Sequence, residues 1–278
     1  MHEAERGDTV RRIARSGDPD RALAALFAPR EARADLFALY AFNVELARIA
    51  EQVSESELGA IRLQWWREAL ERAAKGEATG HPVADALGVT LAQGKLSPGR
   101  VEALIEARAF DVVTKIMPDG NALEAYLKDT AGALFALGAE SLGARGPSLE
   151  PASSQAGLAY GLTGLMRALP VHAASGRVYL PADALMRHGT SPERVLAGTT
   201  SEALLAVLAE LRRKARDAMD EARRHVAQLD PSAQAAFRPL CLVEPYLVAL
   251  EKSGRDPLRE IAGVNPLYRL WRMARWRP

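Results

Sequence analysis

Two helical patterns contain the few residues whose spacing suits metal or acid–base chemistry. In the first, Ala47 and Glu51 lie four residues apart and therefore share a helix face, but only Glu51 offers a carboxylate. In the second, His172 offers one imidazole shortly after the predicted end of a helix. A magnesium cluster needs several hard oxygen ligands, and an imidazole suits zinc or copper better. We therefore predict no bound metal and no cofactor.

Helical periodicity surrounds both patterns. Residues 35–51 read DLFALYAFNVELARIAE, with apolar residues at the three- and four-residue steps of a helix whose inner face is buried. The helix that precedes His172 is predicted over 152–169, and Pro170 ends or kinks it. No alternating strand pattern is longer than the ambiguous GRVYLP at 176–181. The chain is predicted to be all-α, with further long helices over 121–142, 200–229, 231–252 and 257–276.

Composition limits the classes of function. With 48% hydrophobic and 26% charged residues, the 278-residue chain has the balance of an ordinary globular protein. Its net charge of +1 gives no general electrostatic reason to bind nucleic acid. The single cysteine, Cys241, lies in an apolar run and is interpreted as a buried, inert thiol. We expect a polar leader over 1–17 and one helical domain over 18–278.

The chain carries no pattern typical of export or of a membrane span. The N-terminal residues mix acids with arginines and have no apolar core of the kind that signal peptides contain. No run approaches the roughly 18 apolar residues that a spanning helix needs. We therefore expect a cytoplasmic protein, either free in the cytoplasm or peripheral at the inner face of a membrane.

Two motifs resemble those of the squalene/phytoene synthase family. The YAF at 40–42 is similar to the start of the family's first motif, which continues with D-D-x-x-D, where this chain has Ala47, Arg48 and Glu51. Residues 157–183 resemble the second motif, Q-L-x-N-x-x-R-D-x-x-E-D followed by G-R-x-Y-L-P-x-D. The matching residues there are Leu162, Arg167, Gly176, Arg177, Tyr179, Leu180, Pro181 and Asp183. Weaker similarity, covering nearly the whole chain, occurs at 61–66, 81–87, 124–132 and 236–247.

This resemblance implies a single-domain isoprenoid-synthase helical bundle around a central apolar cavity. Family members join prenyl diphosphates head to head, using Mg²⁺ that aspartates hold between two facing helices. The corresponding positions here are degenerate, namely Ala47, Arg48, Glu51, Gly164, Ala168 and His172. In addition, Asp18 and Asp20 stand where the family uses serines, and carboxylates repel a diphosphate.

The resemblance is greatest to the family's non-catalytic branch, which includes mitochondrial complex I assembly factor 6 and bacterial relatives. It implies a factor that binds a lipid, an isoprenoid or a respiratory complex subunit and assists assembly of complex I. One alternative is an active transferase of farnesyl or geranylgeranyl diphosphate that uses substitute ligands, and only this alternative requires Mg²⁺. A lipid or quinone carrier without an assembly role is a further alternative.

Several retained residues match family positions near the cavity. They are predicted either to face a ligand or to serve as buried rings and structural ion pairs, for example with Glu45. Arg48 either fills the former metal site or pairs with Glu51, whereas Asp111, Glu124 and Glu45 show no partner pattern for a catalytic dyad. The candidate ligand-binding residues are Tyr40, Tyr126, Arg167, Arg177, Tyr179 and Asp183.

The C-terminal residues 267–278 interleave arginines with large apolar side chains. A basic amphipathic helix with tryptophan is suited to an anionic membrane surface. The alternative is a last helix that docks its apolar side on the core and leaves its arginines in water. The membrane-surface candidates are Arg269, Trp271, Arg272, Arg275 and Trp276.

Overall fold

A computed structural model of the protein describes residues 3–53 and 55–278. The described residues confirm the prediction of an all-α bundle, and their one β-type contact is an isolated parallel bridge between Ile116 and Val178 in the GRVYLP region. The α-helices, in chain order, are α1 Glu3–Gly17, α2 Pro19–Ala25, α3 Arg33–Gln52, α4 Ser56–Ala74, α5 Pro82–Ala92, α6 Pro98–Val113, α7 Gly120–Leu127, α8 Ala133–Ser141, α9 Leu149–Ala174, α10 Ala182–Arg187, α11 Pro192–Leu196, α12 Glu202–Val226, α13 Pro231–Gln234, α14 Val243–Leu250 and α15 Pro266–Ala274.

The segment predicted as a polar leader forms helix α1 and packs on α3. Val10 and Ala14 are buried in this contact because they lie four residues apart on one face of the helix. Residues 1 and 2 of the leader lie outside the described residues. From Glu3 onward, the leader therefore belongs to the packed bundle.

Helix α3 and the pair of α9 and α12 lie in two different parts of the hydrophobic core. Helix α3 packs on α1, α5, α8 and α6, and its YAF residues are buried. Helix α9 continues through Pro170 to Ala174 and packs along α12 over much of its length. The motif positions that the sequence predicts to be degenerate therefore lie on two helices that pack in different parts of the core.

The helix predicted over 121–142 is interrupted by a π-helical turn, Lys128–Gly132, between α7 and α8. Helix α9 crosses close to this turn, and a Cβ atom on Gly157 would lie 2.4 Å from the Cα and N atoms of Gly132. The Thr130 hydroxyl in this turn donates a hydrogen bond of 2.6 Å to the carbonyl oxygen of Tyr126 in α7. The interruption therefore coincides with a close contact between two backbones at glycine.

The C-terminal region is also more divided than the sequence predicts. The helix expected over 231–252 is split into α13, a 3₁₀ segment over Ala235–Leu242 and α14, because Pro239 within the segment lacks a donor N–H group. The last helix begins only at Pro266, where the side chain of Asn265 accepts hydrogen bonds from the first-turn N–H groups. No helix in residues 3–53 and 55–278 is long and apolar enough to cross a membrane.

Candidate functional site

The positions of α3 and α9 that the sequence predicts to be degenerate lie on partly exposed helix faces. On α3, Glu51 is exposed, and Arg48 lies 3.9 Å from Glu45 instead of pairing with Glu51. On α9, a Cβ atom added to Gly164 would meet nothing within 4 Å. The two faces thus carry small or singly charged side chains next to open space.

A buried carboxylate close to these faces belongs to Asp111 of α6, which is 4% exposed. Its Oδ1 atom accepts a hydrogen bond of 2.7 Å from the Tyr179 hydroxyl, and its Oδ2 atom accepts one of 3.1 Å from the Tyr126 hydroxyl. Arg108, one turn earlier on α6, donates to the same Oδ2 atom at 2.9 Å. The acid for which the sequence suggests no partner is therefore bonded through both of its oxygens.

Arg108 connects this acid to α3. Its Nη2 atom donates to the side-chain oxygen of Asn43 at 2.8 Å, and its own side chain is 12% exposed. Asn43 lies four residues before Ala47 and so on the same face of α3. A guanidinium and an amide thus lie beside the position where the family motif carries an aspartate.

Arg177 and His172 complete this cluster from the end of α9 and the segment after it. Arg177 donates to the carbonyl oxygens of Asp111 and, at 2.7 Å, of Ala50, so it ties α6 to the end of α3. The His172 ring packs against Tyr179 with centroids 4.7 Å apart. Burial lowers the pKa of His172 to about 4, so the imidazole is neutral at pH 7.

A second buried cluster surrounds Arg21 of α2. Arg21 donates to Asp18 at 2.9 Å, and its guanidinium lies 4.5 Å from the ring centroid of Tyr160 and 5.1 Å from that of Phe135. Burial raises the pKa of Tyr40, an effect that the charge of Arg21 opposes. The carboxylate of Asp18 is therefore paired with an arginine instead of facing an open diphosphate site.

The neighbouring Asp20 is 4% exposed and holds a third set of contacts. The Tyr246 hydroxyl donates to it at 2.8 Å, Arg269 of α15 lies 2.5 Å from it, and Arg167 lies 3.8 Å from it. Arg167 also stacks on the Tyr246 ring, 3.5 Å from its centroid. Burial raises the pKa of Asp20, although Arg269 opposes this effect.

Other candidates are placed away from these clusters. Asp183 accepts a hydrogen bond from the N–H of Ala184 in the first turn of α10, and Glu124 pairs with Lys214 on the surface. Cys241 is 2% exposed, and burial raises its pKa to about 12. Within the described ranges, no three His, Cys, Asp or Glu side chains are grouped so that they could hold a metal ion.

The C-terminal candidates divide between two faces of α15. Arg269 contacts Asp20, Arg272 donates to the carbonyl oxygen of Cys241 at 3.1 Å, and Trp276 packs against the core. Trp271 and Arg275 face outward, with the guanidinium 5.3 Å from the indole centroid. The helix docks on the core, but two of its arginines, and not only its apolar side chains, form the contact.

A comparison with known families shows to which family the chain belongs. The sequence model described as squalene/phytoene synthase matches residues 14–276. The chain belongs to the squalene/phytoene synthase family. The family membership predicted from the sequence is thereby confirmed.

Relatives within the squalene/phytoene synthase family carry two kinds of name. Complex I assembly factor 6 of Bos taurus is 30% identical over 244 residues, covering 88% of this chain and 73% of that protein. The 15-cis-phytoene synthase of Synechococcus elongatus is 26% identical over 258 residues, covering 87% of this chain and 82% of that protein. Family membership alone therefore does not separate assembly factors from prenyl transferases.

Solved structures confirm the fold. Squalene synthase HpnC from Alicyclobacillus acidocaldarius superimposes with a TM-score of 0.78 at 24% identity, covering 92% of this chain and 95% of that one. The squalene/phytoene synthase fold of the chain is thus shared with an enzyme.

Sequence reasoning missed part of the polar interior of this family member. Arg108 lies three residues before Asp111, a helix-neighbour spacing that can be read from the sequence. Asn43 can also be recognised from the sequence, because it is a polar residue four positions before Ala47 on the same face of α3. The contacts of Arg21 with Tyr160 and of Tyr246 with Asp20 join distant segments and carry no local signal.

Proposed function

We propose that this chain is a non-catalytic member of the squalene/phytoene synthase family that assists assembly of a respiratory NADH dehydrogenase. The proposal rests on one observation: of the residues at the motif positions predicted to be degenerate, only Glu51 carries a carboxylate, and it is exposed. The likeness to proteins named complex I assembly factor 6 supports this role. We further propose that the chain works at the inner face of a membrane.

The charges of the site argue against prenyl diphosphate chemistry. Departure of diphosphate needs preorganised charge, and losing one such group typically costs about 3 kcal/mol of transition-state stabilisation. Asp111 is occupied by Arg108 and two tyrosine hydroxyls, so it is held as an internal counter-ion. Among the described residues, Glu51 is therefore the one carboxylate that remains at the motif positions predicted to be degenerate. One carboxylate is too few to hold a cluster of magnesium ions.

Binding of an apolar lipid or isoprenoid is the second part of the proposal. The motif faces carry Ala47, Gly164 and Ala168, whose small side chains leave room for a chain-like ligand. Native mass spectrometry of gently purified protein measures a co-purified ligand directly. A Gly164→Phe variant, which fills the open space, is expected to lose that ligand. The matched control is Gly99→Phe at the exposed start of α6, where an added Cβ atom also meets nothing within 4 Å.

Deletion of the gene in its own host tests the assembly role. We expect less assembled NADH dehydrogenase on native gels and slower NADH oxidation in isolated membranes. Wild-type protein and a Glu51→Gln variant should both restore assembly, because the proposal gives the remaining carboxylate no catalytic duty. Normal assembly in the deletion strain would contradict the proposal.

An active head-to-head prenyl transferase is the second candidate. It is favoured by the likeness to 15-cis-phytoene synthase and by the retained YAF and GRVYLPAD segments. Incubation with farnesyl or geranylgeranyl diphosphate and Mg²⁺ separates the two functions. Product at ordinary enzyme rates, or Mg²⁺-dependent binding of a diphosphate analogue, would favour the transferase.

A further inference from the structure

The outward face of α15 is unusually apolar for a helix with so many arginines. Leu267 is 77% exposed, Leu270 44% and Trp271 48%, and these residues follow the three- and four-residue spacing of one helix face. Tyr268 is 43% exposed and stacks on Trp271, with ring centroids 5.7 Å apart. Four large apolar or aromatic side chains thus form one patch on a nine-residue helix.

The opposite face explains why these side chains point outward. Arg269 and Arg272 turn inward to the carboxylate of Asp20 and the carbonyl oxygen of Cys241. Met273 lies on the same inner face and is fully buried. The helix is therefore fixed by its arginines, and its apolar outer face takes no part in holding it to the core.

The charge of the residues around this face indicates which partner it binds. Residues 261–278 contain no acidic residue, and two of their four arginines, Arg275 and Arg277, are exposed, although the whole chain has a net charge of only +1. Arg275 lies over the Trp271 ring, and both side chains are exposed, so a guanidinium and an indole are presented together. Tryptophan and tyrosine favour the headgroup region of a bilayer, and arginine is attracted to anionic lipids.

From this geometry we infer that the outer face of α15 is a docking surface for a bilayer that contains anionic lipids. Leu267, Leu270 and Trp271 enter the interface, with Tyr268 beside them, and Arg275 contacts lipid phosphates. This inference extends the membrane location in the proposed function and assigns it to one face of one helix. A vesicle assay with purified protein tests it independently of any respiratory complex.

Co-sedimentation with phosphatidylcholine vesicles, with and without phosphatidylglycerol, measures the binding. We expect binding that needs phosphatidylglycerol and weakens with salt. A Leu267→Ser/Trp271→Ser variant should bind about tenfold or more weakly, because it removes two side chains that would leave water. The matched control is Leu58→Ser/Ile61→Ser, which changes two exposed apolar residues on α4 and should bind like wild type.

A charge-reversed variant, Arg275→Glu/Arg277→Glu, should also bind anionic vesicles more weakly and keeps the apolar side chains in place. Equal binding by wild type and Leu267→Ser/Trp271→Ser would overturn the inference. So would a dimer in sedimentation velocity that the same variant dissociates while vesicles remain unbound, since the face would then contact a second copy. Vesicle binding together with normal dehydrogenase assembly in the deletion strain would contradict the assembly role alone.

Discussion

The hydroxyl of Tyr179 donates a hydrogen bond of 2.7 Å to Asp111, which lies 68 residues earlier in the chain. Through this contact, and through Arg108 and Tyr126 on the other carboxylate oxygen, Asp111 joins α6, α7 and the segment after α9. The acid is a structural centre near the motif positions that the sequence predicts to be degenerate. Removing the Asp111 carboxylate should therefore lower the stability of the fold, whatever its effect on ligand binding.

An Asp111→Asn substitution removes the charge that compensates Arg108. Leaving one partner of a buried ion pair alone costs about 3–5 kcal/mol, so we expect a large fall in the free energy of unfolding, measured by urea denaturation. The control is Glu124→Gln, which removes an exposed partner of Lys214 and should cost at most about 1 kcal/mol. Equal effects of the two substitutions would show that the Asp111 cluster is not a structural centre.

Two glycines of α9 should respond to alanine in opposite directions. Gly164→Ala should raise the free energy of unfolding by about 0.5–1 kcal/mol, because the new Cβ atom meets nothing and alanine favours a helix. Gly157→Ala should lower it, because the Cβ atom would clash with the backbone of Gly132. Thermal melting of both variants checks this pair, and stabilisation by Gly157→Ala would contradict the close backbone contact.

His172 should make stability depend on pH. Burial lowers the pKa of His172 from its ordinary value of 6.5 to about 4, while the charge of Asp111 opposes this shift. Between these pH values the unfolded chain binds a proton that the folded chain does not, so protonation favours unfolding. The free energy of unfolding is therefore highest above pH 6.5 and falls as the pH drops toward 4. From pH 7 to pH 5, wild type should lose about 2 kcal/mol more than a His172→Gln variant in urea denaturation.

The contact between Asp20 and Arg269 should show strong coupling. Their side chains are 6% and 17% exposed and lie 2.5 Å apart. In a double-mutant cycle with Asp20→Asn and Arg269→Ala, we expect the two losses of unfolding free energy to be non-additive by about 1–3 kcal/mol. Additive losses would mean that Arg167, 3.8 Å from the same carboxylate, compensates the charge on its own.

Local periodicity accounts for the part of the fold that the sequence predicts well. The helix expected over 35–51 is α3, Arg33–Gln52, because its apolar steps and its burial agree. The break at Lys128–Gly132 is not predictable in this way, since it coincides with a crossing by Gly157 from another helix. Periodicity predicts which face of a helix is buried, but it does not predict which other helix crosses that face.

The same distinction applies to the candidate site. The small residues at 47, 164 and 168 can be read directly from the motif positions. The tyrosine partners of Asp20 and Asp111 cannot, because Tyr246 and Tyr179 reach them from distant parts of the chain. Of the groups that bond to Asp111, the sequence indicates Arg108, at helix-neighbour spacing, but neither tyrosine.

The Asp20–Arg269 pair joins the second helix of the chain to its last one. During synthesis, therefore, Asp20 stays without this guanidinium until Arg269 has left the ribosome. A product terminated just before Pro266 would leave the buried Asp20 carboxylate without its Arg269 partner, at a cost that the longer chain avoids. A nonsense mutation at this point should accordingly yield a chain that cellular quality control removes.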